Sequence, residues 1–169
     1  EVAMAVENGA DEVDIVLNVG RMLTGEYNEA ANEVEVIRTE MDEDVVLKVI
    51  IESGALKTPE LIRKASLLSM LAGADFVKTS TGKIDVAATP EAAVVMCQAI
   101  KDYFDKTGRK VGFKAAGGVR SAEDAALYYT IVEEILGKGW LTTDLFRIGA
   151  SSAANNLISA IEGKEVKYF

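Results

Sequence analysis

An α/β fold built from repeated strand–helix units is predicted by three features of the sequence. Short apolar runs rich in β-branched residues alternate with longer amphipathic stretches along the chain. Two of the amphipathic stretches open with Thr-Pro-Glu, at 58–60 and 89–91, which provides an N-cap and a first-turn proline. The strand-like runs recur every 30 to 36 residues, the length of one strand and one helix with their turns.

The apolar runs are predicted to be strands of a parallel sheet, because buried parallel strands are nearly continuous in Val, Ile and Leu. The predicted strands are 12–17, 45–51, 76–79, 111–114 and 145–149. The predicted helices are the end of one at 1–9, then 28–39, 58 to about 72, 89 to about 104, 123–136 with Ser121 as its N-cap, and 151–161. The polar end, 163–169, is expected to fray.

The length of the units favours a barrel over an open sheet. A barrel of eight strand–helix units takes about 250 residues, or about 31 per unit. The 169 residues therefore predict a single domain, 1–169, of the (β/α)8 TIM-barrel type, represented by about its last five units. An open five-stranded doubly wound sheet is the alternative, but it needs a change of strand order that nothing in the sequence marks.

Composition excludes several classes of function. The formal charge of -9 argues against a general nucleic-acid or anionic-membrane binder, and no apolar run approaches the roughly 20 residues that span a bilayer. We therefore expect a cytoplasmic protein. Because the chain has no histidine and one cysteine, a Ser-His-Asp triad, a histidine-ligated metal and a cysteine-built zinc site are excluded. Cys97 lies in an apolar helical run and is expected to be an inert core thiol.

Charged residues recur at equivalent positions of the predicted strands. Side chains alternate along a strand, so Lys78 and Lys114 would point into the barrel together with Asp14 and Lys48, while Arg147 holds the equivalent position in the last strand. Lysine and aspartate are rarely buried unless they are paired or functional. Each one alone could be a surface residue with its charge in solvent, but the set indicates a functional site.

Lys78 is the predicted reactive residue. Lys78 and Lys114 would lie on neighbouring strands about 5 Å apart. Two ammonium groups at that distance disfavour each other, so one pKa falls and leaves a neutral amine that can attack a carbonyl. Asp14 would serve as the acid/base partner, and Lys48 fits a supporting ion pair better than a chemical role.

Three turns of small residues follow successive strands and predict a phosphate site. They are Thr81-Gly82-Lys83, Gly117-Gly118-Val119-Arg120 and Gly149-Ala150-Ser151-Ser152. Each would place free backbone N–H groups near a helix start, as phosphate binding requires. The alternative, that the glycines only shape the turns, is the better explanation for any one turn alone, whereas the set of three favours phosphate.

Five segments match one known family in the same order: Asp11 to Val16, Leu47 to Glu52, Phe76 to Lys83, Gly112 to Arg120, and Phe146 to Ser152. They closely resemble the deoxyribose-phosphate aldolase family, and the resemblance covers nearly the whole chain. The resemblance implies a Schiff-base aldolase without metal or other cofactor that reversibly cleaves 2-deoxy-D-ribose 5-phosphate to D-glyceraldehyde 3-phosphate and acetaldehyde. It further implies a protein that forms a homo-oligomer, expected to be a dimer, and acts on a small phosphorylated sugar.

The same resemblance assigns roles to individual residues. Lys78 matches the Schiff-base lysine, Lys114 the second lysine of proton transfer, and Asp14 the aspartate of that relay. The substrate and phosphate shell would comprise Lys48, Thr79, Gly82, Lys83, Gly117, Gly118, Arg120, Gly149, Ser151 and Ser152.

The sequence departs from the family in two places. Ala115 stands where the family usually has proline, which costs a little turn rigidity. The family's first three strands have no counterpart here, so the chain is expected to lack the N-terminal part of the barrel. Two alternatives therefore stay open: a catalytically silent barrel fragment or interaction module, and a Schiff-base lyase for another phosphosugar.

Overall fold

Five strands form one parallel sheet in the computed structural model, which describes residues 1–150 and 153–168. The strands are β1 (Glu12–Val16), β2 (Val46–Ile50), β3 (Phe76–Lys78), β4 (Gly112–Ala116) and β5 (Phe146–Gly149). Each strand pairs with the next along the chain, in the order β1-β2-β3-β4-β5. A doubly wound sheet would reverse its strand order once, so this alternative is wrong and the barrel-type order is confirmed.

Helices connect the strands, because parallel neighbours need a crossover. They are α1 (Val2–Glu7), α2 (Val19–Thr24), α3 (Tyr27–Thr39), α4 (Ser53–Leu56), α5 (Pro59–Leu71), α6 (Pro90–Thr107), α7 (Ala122–Leu136) and α8 (Ala153–Glu162), with a 3-10 turn at Lys138–Trp140. The predicted caps are confirmed. The hydroxyls of Thr58, Thr89 and Ser121 accept hydrogen bonds from the backbone N–H groups three residues further on.

Two short helices and the C-terminal tail differ from the prediction. The sequence did not predict α2 and α4, because six and four residues are too few to show a helical period. The tail was expected to fray, but Val166 is buried and its N–H donates to Ser159 Oγ at 2.8 Å. That expectation is wrong for the described part of the tail, since one apolar side chain returns to the molecule.

The main core lies between the sheet and the helices. Outward-facing residues of the central strands, such as Leu47, Val77 and Phe113, pack with helix residues in one continuous hydrophobic cluster. Cys97 of α6 is fully buried within that cluster, and burial raises the pKa of its thiol far above the ordinary value. The predicted inert core position of Cys97 is confirmed.

The inner face of the sheet carries the charged residues, and the strand register sets their depth. Asp14 pairs with Lys48 in register, Lys78 with Lys114, and Lys114 with Arg147. Lys78, however, lies beside Ile50 rather than beside Lys48. A shift of two residues keeps a side chain on the same face, so Lys48 lies one layer deeper than Lys78.

Candidate active site

Asp14 is the centre of the charged cluster. Its Oδ2 accepts hydrogen bonds from Lys78 Nζ at 2.6 Å and from Lys114 Nζ at 3.0 Å. Its Oδ1 accepts a bond from Lys48 Nζ at 3.1 Å. The structure therefore brings together all four residues that strand alternation placed on the inner face, with one carboxylate shared among three ammonium groups.

The charges of the cluster shift the acidity of its members. Burial alone would raise the pKa of Asp14, but hydrogen bonds from the three lysines outweigh it and hold this pKa well below the ordinary value. The pKa of Lys114 is lowered, chiefly by burial and further by the charges of Lys78 and Lys48, while Asp14 opposes the shift. The lowered pKa is that of Lys114, the second lysine of the prediction rather than the predicted nucleophile, and desolvation is a larger cause than repulsion between the ammonium groups.

Lys48 supports the cluster from below. Its side chain is 3% exposed, and its Nζ contacts Glu12 Oε2 at 2.6 Å in addition to Asp14. The predicted ion pair is confirmed, whereas the assignment of Lys48 to the substrate shell needs correction, because its ammonium group is enclosed by two carboxylates and does not line the cavity described below.

Glu12 and Arg147 complete the floor of the site. Glu12 Oε1 accepts a bond from Arg147 Nη2 at 2.8 Å, and Lys48 and Arg147 together lower the pKa of Glu12. The Arg147 guanidinium also lies over the ring of Phe76, 5.6 Å from its centroid. Sequence reasoning missed Glu12, although its position two residues before Asp14 on the same strand places it on the same face.

A cavity of about 530 Å³ opens above this cluster. It contains the two amines Lys78 and Lys114 together with residues of all three predicted phosphate turns. The lining residues are Lys78, Thr81, Gly82, Lys83, Lys114, Ala116, Gly117, Gly118, Val119, Arg120, Gly149 and Ala150. The two constellations predicted separately from the sequence therefore form one site.

The first turn does not offer free backbone N–H groups, contrary to prediction. The N–H of Thr81 donates to Glu52, that of Gly82 to Ser80 Oγ at 3.1 Å, and that of Lys83 to Thr81 Oγ1 at 3.1 Å. No helix follows directly either, since α6 begins at Pro90. This turn therefore presents the Lys83 side chain to the cavity.

Gly117 is required by a close approach of two turns. Its φ is +85°, and a Cβ there would lie 2.6 Å from both Ser80 Oγ and the Ala87 side chain. Gly149 is similarly tight, because its Cβ would lie 2.9 Å from Ala116 Cβ and 3.3 Å from Lys114 Cε. Small residues here keep the cavity open beside the amines and let the turns meet, so the turn-shaping explanation holds for these glycines, and phosphate binding by the turns stays a prediction.

Three members of the predicted shell remain. Thr79 is fully buried, and its Oγ1 donates to the Ala116 carbonyl and accepts from the Ala116 N–H, both at 2.9 Å. Its prediction as a substrate contact needs correction, because the hydroxyl is committed to joining β3 to β4. Ser151 and Ser152 lie outside the described residues.

Within residues 1–150 and 153–168, no group of three or more Asp, Glu or Cys side chains is arranged to hold a metal ion. No helix there is long and apolar enough to cross a membrane.

The fold and the cavity together define a barrel-type β/α protein with lysines and an arginine at the carboxyl ends of its strands. The chain belongs to the DeoC/LacD family of aldolases, because the sequence model of that family matches residues 1–142. It is 48% identical over 157 residues to the deoxyribose-phosphate aldolase of Mus musculus, a match that covers 93% of this chain and 49% of the mouse protein. The chain thus spans about half the length of this relative.

Solved structures agree with the family assignment. A crystal structure of a putative deoxyribose-phosphate aldolase from Coccidioides immitis matches 95% of this chain and 56% of its own, with a TM-score of 0.78 and 30% identity. A deoxyribose phosphate aldolase from Aeropyrum pernix, described as having a unique tetrameric structure, matches 95% of this chain and 59% of its own, with a TM-score of 0.68 and 29% identity. The predicted TIM-barrel type of fold is thereby confirmed.

Proposed function

We propose that this chain carries the active site of a Schiff-base aldolase that cleaves 2-deoxy-D-ribose 5-phosphate into D-glyceraldehyde 3-phosphate and acetaldehyde. One observation carries the proposal: Lys78 Nζ, 2.6 Å from Asp14 Oδ2, lines the same cavity as Lys83 and Arg120. A carbonyl group and a phosphate of one small substrate would find their partners in that cavity. The names of the relatives agree with this substrate.

In the proposed reaction the Lys78 amine attacks the C1 aldehyde, and loss of water gives an iminium ion. The C2–C3 bond then breaks, and its electron pair flows into the iminium to leave an enamine on Lys78. The C3 hydroxyl gives up its proton as D-glyceraldehyde 3-phosphate departs. Protonation of the enamine at C2 and hydrolysis release acetaldehyde and restore the amine.

Lys114 and Asp14 are the groups placed to move these protons. Both lysines share Asp14 Oδ2, so a proton that leaves Lys78 has the carboxylate within one hydrogen bond and the second amine one hydrogen bond beyond it. Asp14 is a weak base because its pKa is held low, whereas the lowered pKa of Lys114 makes this amine release a proton more readily than an ordinary lysine does. We assign charge stabilisation to Asp14 and proton transfer to Lys114 with a bound water.

The phosphate would lie at the other end of the cavity. Lys83 and Arg120 supply cations there, and Gly117, Gly118 and Gly149 leave room for an anion close to the backbone.

We further propose that residues 1–169 are one domain that works as a homodimer. The continuous hydrophobic cluster, which runs from Leu17 to Ala153, supports the single domain.

Reductive trapping tests the proposal. We expect borohydride with 2-deoxyribose 5-phosphate to leave a reduced adduct that peptide mapping locates on Lys78. The Lys78→Ala variant should form none, because the other amine that contacts Asp14 at the cavity, Lys114, is assigned to proton transfer rather than to attack on the aldehyde. Lys101→Ala, which removes an exposed α6 lysine paired with Asp105, should trap like the parent.

Each other outcome selects an alternative. No adduct on the parent, with a full-length relative trapped in parallel, would support a catalytically silent module. Trapping that prefers a different phosphosugar aldehyde would support another Schiff-base lyase. An adduct that persists in Lys78→Ala would contradict the assignment of the reactive amine.

A further inference from the structure

Glu52 is a buried carboxylate that the chemistry above does not use. It follows β2 directly, is 6% exposed and adopts a left-handed backbone conformation with a φ of 53°. A non-glycine residue in this region costs about 1 kcal/mol or more. A buried charge and a strained backbone at one residue indicate that its position is enforced by a specific set of contacts.

The hydrogen bonds of the Glu52 side chain go to the turn that bears Lys83. Glu52 Oε2 accepts a hydrogen bond from Thr81 Oγ1 at 2.7 Å, and the Thr81 N–H lies 3.2 Å from Oε1 and 3.3 Å from Oε2. Thr81 Oγ1 in turn accepts the Lys83 N–H at 3.1 Å. The carboxylate, the hydroxyl and the lysine backbone therefore form one chain of hydrogen bonds.

The direction of this chain matters because a hydroxyl has a single proton. Glu52 has no proton to give when ionised, so the Thr81 hydroxyl must donate to it. The lone pairs of that hydroxyl are then left to accept the Lys83 N–H. Glu52 thus fixes the polarity of the Thr81 hydroxyl, and through it the backbone orientation from which the Lys83 side chain enters the cavity.

A second contact holds the same loop against the same segment. Gly54 of α4 lies against the Val86 backbone, where an added Cβ would overlap the carbonyl oxygen and lie 2.8 Å from the carbonyl carbon. On the other side, Ser80 Oγ donates to the Ala116 carbonyl of β4 at 2.8 Å. The loop that carries Lys83 is thereby held between the segment after β2 and the end of β4.

We propose that Glu52 is a positioning residue that places Lys83 for an anion in the cavity and so determines the preference for a phosphorylated ligand. This inference rests on the proposed function for its choice of phosphosugar, but the anion-binding step can be measured without any turnover. Glu52 does not line the cavity, so it acts through Thr81 and Lys83 rather than by contact with the ligand.

The first experiment measures binding of glycerol 3-phosphate, which has no carbonyl to react, with glycerol as the uncharged comparison. We expect Glu52→Ala to weaken binding of glycerol 3-phosphate roughly 10-fold, because a displaced Lys83 would lose its charged hydrogen bond to the phosphate. Glu52→Gln keeps an acceptor oxygen for the Thr81 N–H and should retain part of the affinity. Glu60→Ala, which removes an exposed carboxylate in the first turn of α5, should leave the affinity unchanged.

A double-mutant cycle tests whether Glu52 acts through Lys83. Lys83→Met should weaken binding, and Glu52→Ala should add little in that background, since the side chain that it positions is already gone. Equal effects of Glu52→Ala with and without Lys83 would overturn the proposal. Thr81→Val should weaken binding like Glu52→Ala, and Thr81→Ser, which keeps the hydroxyl, should restore it. This pair decides the matter if Glu52→Ala does not fold.

The second experiment separates this inference from the proposed function. Borohydride trapping of acetaldehyde on Lys78 needs no phosphate, so Glu52→Ala should trap it as the parent does while KM for 2-deoxyribose 5-phosphate rises at little change in kcat. If the parent traps no aldehyde but binds glycerol 3-phosphate in a Glu52-dependent way, the aldolase proposal fails and the inference stands. If the parent traps acetaldehyde but does not bind glycerol 3-phosphate, the inference fails together with the proposed phosphate site, while Lys78 stands as the reactive amine.

Discussion

Asp14 has only two carboxylate oxygens to accept hydrogen bonds from three lysines, and this imbalance determines how the charged residues of the site are paired. Its Oδ2 is shared by Lys78 and Lys114, while its Oδ1 is held by Lys48. Because Glu12 also pairs with Lys48, Asp14 is not the only carboxylate that neutralises the Lys48 ammonium group. Two carboxylates thus keep two amines at the cavity wall within one hydrogen bond of a shared oxygen.

Asp14→Asn should destabilise the fold in a manner that depends on pH. Removing one partner of a buried ion pair costs about 3–5 kcal/mol, and we expect about 2 kcal/mol here because water reaches part of the site. The folded-state pKa of Asp14 lies below its ordinary value of 3.8, so its contribution is present above that value and is lost as the pH falls through the folded pKa.

Urea unfolding of Asp14→Asn and the parent across the acid range measures this contribution. The difference in unfolding free energy should be constant from neutral pH to about pH 5 and shrink progressively below about pH 4. Asp102→Asn removes the exposed partner of Arg63 on the protein surface and should cost less than about 1 kcal/mol. A difference that grew as the pH fell would contradict the assignment of the stabilising charge to Asp14.

At the level of single residues, the alternation of side chains along a strand determined which site residues the sequence could predict. Alternation correctly put Asp14, Lys78 and Lys114 on one face, because charged residues inside apolar strands are conspicuous. Alternation could not show that the Thr79 hydroxyl bonds to the Ala116 backbone rather than to a ligand. Glu52 was also beyond it, since a left-handed conformation at a glutamate leaves no mark in the sequence.

Strands and long helices were predictable because they repeat a pattern over many residues. The strand order and the capped starts of α5, α6 and α7 required only apolar periodicity and the chemistry of Thr, Ser and Pro. The shift of β3 by two residues against β2 was not predictable, because it arises from the stagger of neighbouring strands rather than from either strand alone.

Helix α4 offers a test at the level of elements, through two helical glycines with different surroundings. Gly54→Ala would force a Cβ into the Val86 backbone, so we expect a loss of about 1–3 kcal/mol, or a melting temperature lower by about 3–10 °C. Gly20→Ala in α2 meets only Asn18 Oδ1 at 3.4 Å and should stabilise by about 0.5–1 kcal/mol. Thermal unfolding followed by circular dichroism measures both.

The two glycine variants also distinguish the effect of the close contact at Gly54 from the effect of helix propensity. If Gly54→Ala were as stable as Gly20→Ala, the close contact between α4 and the loop that bears Lys83 would be absent in solution. The anchoring of that loop would then rest on Glu52 and Ser80 alone.

Charge is distributed unevenly over the whole molecule. The formal charge is -9, yet the described lining of the cavity contains Lys78, Lys83, Lys114 and Arg120 and no carboxylate. Composition alone therefore predicted the sign of the surface but not that of the site, and the sequence indicated the local positive charge only once its lysines were placed on strands. The proposed phosphorylated ligand would have to approach an acidic protein to reach a basic cavity.

The salt dependence of anion binding shows whether the positive charge of the cavity or the net negative charge of the protein dominates. The Debye length is about 10 Å at 0.1 M salt, so distant surface carboxylates are screened from a ligand that contacts the cavity cations directly. If the cavity governs affinity, binding of glycerol 3-phosphate should weaken several-fold between about 20 mM and about 500 mM NaCl, whereas repulsion by the net charge would make it stronger.

Calorimetric titration at several salt concentrations measures this sign, and Lys83→Met should flatten the dependence because it removes one of the cations that salt screens. Lys101→Ala changes the net charge by the same amount at a surface site and should leave the slope as it is in the parent. Binding that strengthens with salt in the parent would mean that the acidic surface outweighs the cavity, and would remove the electrostatic basis for a phosphate at Lys83 and Arg120.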